Sequence, residues 1–110
     1  MTKYEGSRTA GRQTVQFPWT RIKWEHEECT HATASAFNWM SQKIRKAASR
    51  KIILDMSECR YLNVAGLHSL LEWNNDLVRQ GVEMRVTGLS PTVARIFRIT
   101  KLDWLLMEPR

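Results

Sequence analysis

Between residues 51 and 73 the chain reads KIILDMSECRYLNVAGLHSLLEW, and this stretch decides the fold. It opens with the apolar run Ile52–Leu54, which is short and followed by an aspartate, as in a strand buried on both faces. A polar connection follows it. In the second apolar part, Leu70 and Leu71 follow Leu67 by three and four residues, which is the spacing of an amphipathic helix. The stretch therefore predicts a buried strand, a connecting loop and a helix.

The residues after this stretch continue the alternation of helix and strand. Gly81 suits the left-handed position beyond the end of a helix. Residues 82–87 then alternate between apolar and polar, which is typical of a strand with one buried face. Ser90 followed by proline predicts the start of a further helix, and residues 102–107 hold a last apolar cluster suited to a short strand or a turn. Helices that alternate with strands predict an α/β architecture.

The part of the chain before residue 51 supplies the remaining elements. Residues 1–13 lack periodicity, and we expect them to form a flexible N-terminal tail. Residues 14–24 alternate in two pieces around Pro18, which favours two short strands or one bent hairpin. The segment 31–48 carries apolar residues every three or four positions and predicts a helix. Because 110 residues bury one core and hardly two, we expect a single domain over residues 14–110.

Charge and composition exclude some classes of protein. The net charge is +6, from 17 Lys and Arg against 11 Asp and Glu, but the tryptophans are scattered among apolar residues instead of interleaved with the cations. This arrangement does not favour a nucleic-acid-binding protein. No apolar run reaches the roughly 20 residues of a membrane span, and the first residues lack the apolar centre of a signal peptide. We therefore expect a cytoplasmic protein, in which Cys29 and Cys59 are reduced thiols.

Three segments carry a resemblance to a known family. They are Ile52–Ser57, Tyr61–Leu67 and Leu89–Phe97. In sequence and in order they resemble the STAS domain of bacterial anti-sigma factor antagonists. The resemblance implies an α/β fold, a single STAS-like domain with a mixed sheet of four to five strands flanked by three to four helices. It also implies a non-enzymatic regulatory module that docks onto protein partners without a cofactor or a metal.

The family's most informative motif lies at the start of the second helix. There, an Asp-Ser-Ser-Gly or Asp-Ser-Ala-Gly sequence carries the residue that an anti-sigma kinase phosphorylates, and the matching residues here are Asn-Val-Ala-Gly, Asn63–Gly66. Ala65 stands at the usual acceptor position and has no hydroxyl, and Val64 has none either. Asn63 keeps the capping ability of the family's aspartate without its charge. We therefore predict that the capped turn is kept and that phosphorylation at the usual position is lost. Ser69, one helical turn further on, is the alternative phosphosite.

We expect a protein partner to bind at this start of the second helix. The predicted partner-binding residues are Asn63, Val64, Ala65, Gly66, Leu67 and His68. On the resemblance, the partner is an anti-sigma factor kinase or a scaffold of STAS proteins. An accessory STAS subunit of a phospholipid-transport ABC ATPase complex is an alternative, and a small ligand- or nucleotide-binding domain is an alternative of another class. The sequence leaves the oligomeric state open.

Several residues with reactive side chains have simpler structural interpretations. His68 lacks a nucleophile with a third orienting group in any recognisable pattern, which favours a surface histidine over a general base. Asp55 at the end of a strand is more typical of a loop cap than of a catalytic acid. His26, Cys29 and His31 lie close enough in sequence to bind zinc, but a second pair of ligands at suitable spacing is missing. We therefore predict neither a catalytic nor a metal site.

Two tryptophans remain open between packing and contact. Trp39 and Trp73 both lie off the main apolar stripes of their predicted helices. A buried tryptophan would contribute to the core, whereas an exposed one is a common anchor of protein interfaces. The sequence alone does not separate these two roles.

Overall fold

The computed structural model describes residues 19–107. Its strands are β1 (Thr20–Lys23), β2 (Glu28–Cys29), β3 (Lys51–Asp55), β4 (Tyr61–Leu62) and β5 (Glu83–Thr87). Its helices are α1 (Ala36–Ala47), α2 (Val64–Arg79) and α3 (Pro91–Ile99), with short 3₁₀ turns at His31–Thr33 and Asp103–Leu105. The α/β architecture is confirmed. The predicted flexible tail, residues 1–13, lies outside the described residues.

Within residues 19–107 the strands form two sheets, so the main sheet has slightly fewer strands than the four to five expected. A three-stranded sheet has the order β1-β3-β5, and β2 pairs separately with β4. Within residues 19–107 every pairing is parallel, including a single bridge between Val86 and Leu106 beside β5. A sheet of this kind arises because helices cross over between its successive strands.

The polar connection found in the sequence explains why the strands are divided between two sheets. Four residues separate β1 from β2, whereas five separate β3 from β4. The connection after β3 forms a turn in which the Cys59 N–H donates to the carbonyl of Met56 at 3.0 Å. These backbone groups are therefore not available to a continuous ladder, and the pairing resumes one residue out of step at Glu28 and Tyr61.

Side chains alternate across the three-stranded sheet so that one face is buried. Ile52 and Leu54 have no exposed surface, whereas Ile53 between them is half-buried. The expectation that this strand is buried on both faces is therefore wrong for one face. Charged side chains lie on that second face, including Arg21, whose Nε is 3.2 Å from the Asp55 carboxylate. The hydrocarbon stems of such side chains shield part of a sheet surface while their charges stay in water.

The helix ends follow the signals in the sequence. Ser90 caps α3 by accepting a hydrogen bond from the Val93 N–H, and the proline after Ser90 occupies the first turn. Gly81, with a φ of 80°, adopts the left-handed conformation shortly after α2 ends. The segment 31–48, predicted as one helix, is divided: Thr30 caps the 3₁₀ turn through a capping box with Thr33, and α1 begins only at Ala36.

A single core joins the buried sheet face to the helices, and it resolves the two open tryptophans. Trp73 is 5% exposed, and its ring centroid lies 5.0 Å from that of Phe37, which in turn lies 4.9 Å from that of the buried Trp24. The indole N–H of Trp73 donates to the Ser41 hydroxyl at 2.7 Å. Trp39 is 51% exposed. Thus Trp73 packs in the core and Trp39 lies on the surface.

None of the helices between residues 19 and 107 combines the length and the apolar character that crossing a bilayer requires.

Candidate docking site at the start of helix α2

The first turn of α2 is fixed by one asparagine. The Asn63 side-chain oxygen accepts a hydrogen bond from the Gly66 N–H at 2.8 Å, so it satisfies one of the free donors at the helix start. The backbone N–H of Asn63 also donates to the Cys29 carbonyl at 3.3 Å. One residue therefore caps the helix and ties it to β2, which confirms that the turn keeps its capping function.

Gly66 is required by a close approach of two backbones. A Cβ at this position would lie 1.8 Å from the carbonyl oxygen of Cys29 and 2.8 Å from the nitrogen of Thr30. The Cys29 thiol in turn donates to the Gly66 carbonyl at 3.7 Å. The first turn of α2 is thus pressed directly against β2, and no side chain fits between them.

The six predicted contact residues divide between surface and core. Val64 is 84% exposed, and Ala65 and His68 are also exposed. Gly66 and Leu67 are buried, so a partner that approaches this surface meets neither of them directly. The outward surface here therefore consists of an aliphatic pair and a histidine, above a half-buried Asn63.

Two neighbouring features were missed in the sequence. Tyr61 is 57% exposed because it alternates with the buried Leu62 in β4, and this period-two pattern was the available signal. The 3₁₀ turn packs against α2 and presents His31 and Ala32 to solvent. Only the fold brings this turn to α2, because the two are about 30 residues apart in sequence. We refer to Tyr61, Val64, Ala65 and His68 together as the α2 mouth.

Four exposed glutamates lie in the segments that contain or lead into β2 and β4. The exposed residues Glu25, Glu27 and Glu28 lie on the chain leading into and along β2, and Glu58 lies in the turn before β4. Lys23 pairs with one of them at 2.7 Å, and this hydrogen bond to the Glu58 carboxylate raises the pKa of the Lys23 ammonium. The other three carboxylates have no ion pair within residues 19–107. We call these four glutamates the acidic rim.

Asp55 acts as the loop cap that the sequence predicted. Its carboxylate accepts a hydrogen bond from the Ser57 N–H at 2.9 Å and another from Arg21. Burial alone would raise the pKa of Asp55, but the hydrogen bonds from Ser57 and the Arg21 guanidinium outweigh burial and lower the pKa below its ordinary value. The carboxylate therefore stays ionised and holds the turn between β3 and β4.

The serine hydroxyls closest in sequence to the first turn of α2 lie outside that turn. Ala65, which the sequence comparison predicted to stand at the acceptor position, is exposed and has only a methyl group. Ser69, the alternative phosphosite, is half-buried one turn further along the helix, and Ser57 is exposed in the turn after β3. The first turn of α2, residues 64–67, therefore carries no hydroxyl group.

The two cysteines are buried and free. Burial, with a smaller contribution from the neighbouring Cys59, raises the pKa of the Cys29 thiol to about 12. Burial likewise raises the pKa of Cys59, whose thiol donates to the Tyr61 carbonyl at 3.4 Å. Within residues 19–107 no three His, Cys, Asp or Glu side chains come together in a way that holds a metal ion. Both thiols are therefore core groups.

Comparison with known proteins places this geometry in a family. The model of the STAS domain family matches residues 24–109. Among solved structures, a sulfate transporter family protein from Wolinella succinogenes has a similar fold, with a TM-score of 0.67, 14% sequence identity, and coverage of 89% of this chain and 79% of that one. At such low identity the likeness shows the fold alone. Because the family model covers nearly all of the described residues, from the buried Trp24 through β5, α3 and beyond, this chain belongs to the STAS domain family.

Proposed function

We propose that this protein is a non-enzymatic, cytoplasmic docking module that resembles an anti-sigma factor antagonist and binds its protein partner through the α2 mouth. The observation that carries the proposal is the exposed pair Val64 and Ala65 at the point where the family carries its phosphoacceptor. STAS domains act as interaction modules, and an apolar pair on a rigid helix start is suited to such contact.

The rigidity of this surface supports the proposal. Asn63 caps the turn and Gly66 abuts the Cys29 carbonyl, so the backbone under Val64 is held by two separate contacts. A surface that is already ordered loses little conformational freedom when a partner binds. The α2 mouth therefore offers a small but preorganised contact.

The missing hydroxyl defines the regulation we propose. In a switchable relative, a phosphate at the start of a helix adds about two negative charges to the docking face. Here Ala65 has no hydroxyl group that could accept a phosphate. We infer an antagonist that stays competent to bind when its kinase is active.

Binding to a purified GHKL-type anti-sigma kinase of the same organism tests the docking surface. Val64→Arg places a long charged side chain at the α2 mouth, whereas Val78→Arg makes the same change at another valine of the same helix, 59% exposed and far from its start. We expect calorimetry to show at least tenfold weaker binding for Val64→Arg, in the range of an interface hot spot, and unchanged binding for Val78→Arg. Equal losses with both variants, or none with either, would contradict docking at the α2 mouth.

Restoring the hydroxyl tests the proposed regulation separately. We expect the wild-type protein to take up no phosphate from this kinase and ATP, and Ala65→Ser to become a substrate whose kinase affinity falls after phosphorylation. Mass spectrometry locates the phosphate, and Ala65→Ser combined with Ser69→Ala separates the two serines. Phosphate on Ser69 or Ser57 of the wild-type protein would refute the constitutive antagonist.

A second candidate is an accessory subunit of a phospholipid-transport ABC ATPase complex. It is favoured by the same alanine, because a subunit that only stabilises an ATPase needs no phosphorylation switch. The name of the structurally similar protein mentions a transporter family, although that likeness concerns the fold. Co-expression with the ATPase subunit distinguishes the two: Val64→Arg, but not Val78→Arg, should then reduce the yield of the soluble ATPase.

A further inference from the structure

Helix α1 carries a strongly basic outer surface that the α2 mouth does not use. Between Glu28 and Asp55 the sequence contains no acidic residue. The same segment contains five cations, Lys43, Arg45, Lys46, Arg50 and Lys51. The first three lie on α1 and are exposed. Charge of one sign is therefore concentrated on a single helix.

The cations share their surface with an exposed tryptophan. Trp39, Lys43 and Lys46 follow one another at spacings of four and three residues, which places them on one stripe of the helix. The buried residues Phe37 and Met40 point to the other side. The Lys43 ammonium lies 3.8 Å from the centroid of the Trp39 ring, so the stripe is continuous. We call these three residues the basic stripe.

Within residues 19–107 no carboxylate forms an ion pair with a cation of the basic stripe. The ion pairs among residues 19–107 involve Arg21, Lys23, His68, Arg79 and Arg85. None of them lies on α1, and neither Lys43 nor Lys46 has a carboxylate partner in this part of the chain. Two unpaired ammonium groups beside a half-exposed indole are thus directed into solvent.

We propose that the basic stripe binds the surface of an anionic phospholipid bilayer. Tryptophan side chains settle at the level of lipid headgroups, and Lys and Arg next to them meet the phosphates. Each Lys or Arg near such a surface raises the affinity roughly fivefold. The basic stripe supplies two of these cations together with one interfacial aromatic residue. This inference does not rest on the function proposed for the α2 mouth.

A lipid surface fits these residues better than a nucleic acid or an acidic protein does. A single strand of nucleic acid would need several aromatic side chains in succession, whereas the basic stripe has one. An acidic protein favours cations held at fixed positions, but the ammonium groups here end flexible stems without carboxylate partners. Such groups suit a fluid array of phosphates.

Vesicle co-sedimentation with the full chain tests the proposal. The vesicles contain either phosphatidylcholine alone or 70% phosphatidylcholine with 30% phosphatidylglycerol. We expect binding only to the second kind, and we expect it to weaken strongly when salt rises from about 50 to about 500 mM. Lys43→Gln with Lys46→Gln removes two cations while keeping helix propensity, and should lower the partition coefficient roughly 30-fold.

The matched control removes the same charge from another helix. Arg95→Gln with Arg98→Gln changes two exposed cations of α3, and circular dichroism checks the fold of both variants. We expect this control to lower binding less than about threefold. Equal losses in the two variants would mean that net charge alone attracts the protein, and would overturn the proposal. Absence of binding to the phosphatidylglycerol vesicles would overturn it as well.

Two further measurements separate lipid from the other partners. On vesicle binding, the emission that Trp39 contributes, obtained by subtracting the spectrum of Trp39→Phe, should shift to shorter wavelength as the indole enters the headgroup layer. A single-stranded oligonucleotide that binds more tightly than the vesicles, with the same dependence on Lys43 and Lys46, would instead assign the basic stripe to nucleic acid and refute the lipid proposal.

Discussion

The α2 mouth and the basic stripe are two exposed surfaces of one domain, and they are held in opposite ways. At the α2 mouth the backbone is fixed by Asn63 and by the contact of Gly66 with Cys29, while the exposed side chains are short. On α1 the buried face anchors the helix, while Lys43 and Lys46 on the outer side are long and form no ion pair with a carboxylate of residues 19–107. The comparison teaches that a fixed backbone can present short, uncharged side chains on one surface, while a helix anchored only by its buried face carries most of the charge on another.

Substitution of Gly66 should have the largest effect on stability, because it disrupts the close backbone contact between α2 and β2. In Gly66→Ala the new methyl group would stand 1.8 Å from the Cys29 carbonyl oxygen, a distance that no rotamer relieves. We expect a loss of about 4 kcal/mol or more in the free energy of unfolding, or failure to fold, as for severe overpacking. Urea unfolding measures it. Ala65→Gly, one residue earlier and exposed, should cost only about 1 kcal/mol, and similar costs for both would show that β2 yields easily.

The two tryptophans offer the next contrast, between a core contact and a surface. Trp73→Ala removes a ring packed on Phe37 and the hydrogen bond to Ser41, and should cost about 3 kcal/mol. Trp39→Ala should cost less than about 1 kcal/mol, because half of that side chain is in water and its contact with Lys43 is weak. Thermal unfolding followed by circular dichroism provides both values. Comparable losses would mean that the surface of α1 contributes to stability as the core does.

The cap of α2 should have an effect of intermediate size. Asn63→Ala leaves the Gly66 N–H without its acceptor and should lower the free energy of unfolding by about 1 kcal/mol. Asn63→Asp restores the family's residue, keeps the cap and adds a negative charge at the helix start, so it should stabilise by about 0.5 kcal/mol at neutral pH. If Asn63→Asp were instead destabilising, repulsion from the acidic rim would outweigh the helix dipole. Urea titrations at low and high salt would reveal that repulsion.

The smallest effect we predict concerns Asp55, which holds the turn leading to the α2 mouth. Because hydrogen bonds from Ser57 and Arg21 lower its pKa in the folded state, its contribution to stability is complete above the unfolded value near 3.8. That contribution is lost as the pH falls through the lower, folded-state pKa. Asp55→Asn should remove this part of the acid dependence and cost under about 1 kcal/mol at pH 7, since Arg21 is largely exposed. If the free energy of unfolding of Asp55→Asn fell with acid as steeply as that of the wild type, the acid dependence would come from other carboxylates.

Local signals in the sequence were sufficient for most of the elements. These signals act over a few residues. Ser90 and the proline after it form the start of a helix, Gly81 follows a helix end, and the alternation in residues 82–87 corresponds to a strand. The division into two sheets could not be predicted, because it depends on a one-residue difference between two breaks that are about 30 residues apart.

For the candidate site, the sequence predicted the chemistry better than the exposure. Asn63 was expected to cap the helix and does so. Leu67 was expected among the contact residues but lies in the core, because the helix turns it toward the sheet three residues after Val64. The role of Trp39 could not be decided either, since only the packing of α1 against its neighbours determines which side of the helix faces water.

The rate at which the buried thiols of Cys29 and Cys59 are alkylated reports local opening of this domain. Alkylating reagents react with the thiolate, and a thiol with a pKa of about 12 is almost never in that form near neutral pH. Labelling of Cys29 therefore has to await separation of β2 from the first turn of α2. The rate at which iodoacetamide modifies Cys29 in the native protein reports how often β2 separates from the first turn of α2. A partner bound at the α2 mouth should lower this rate.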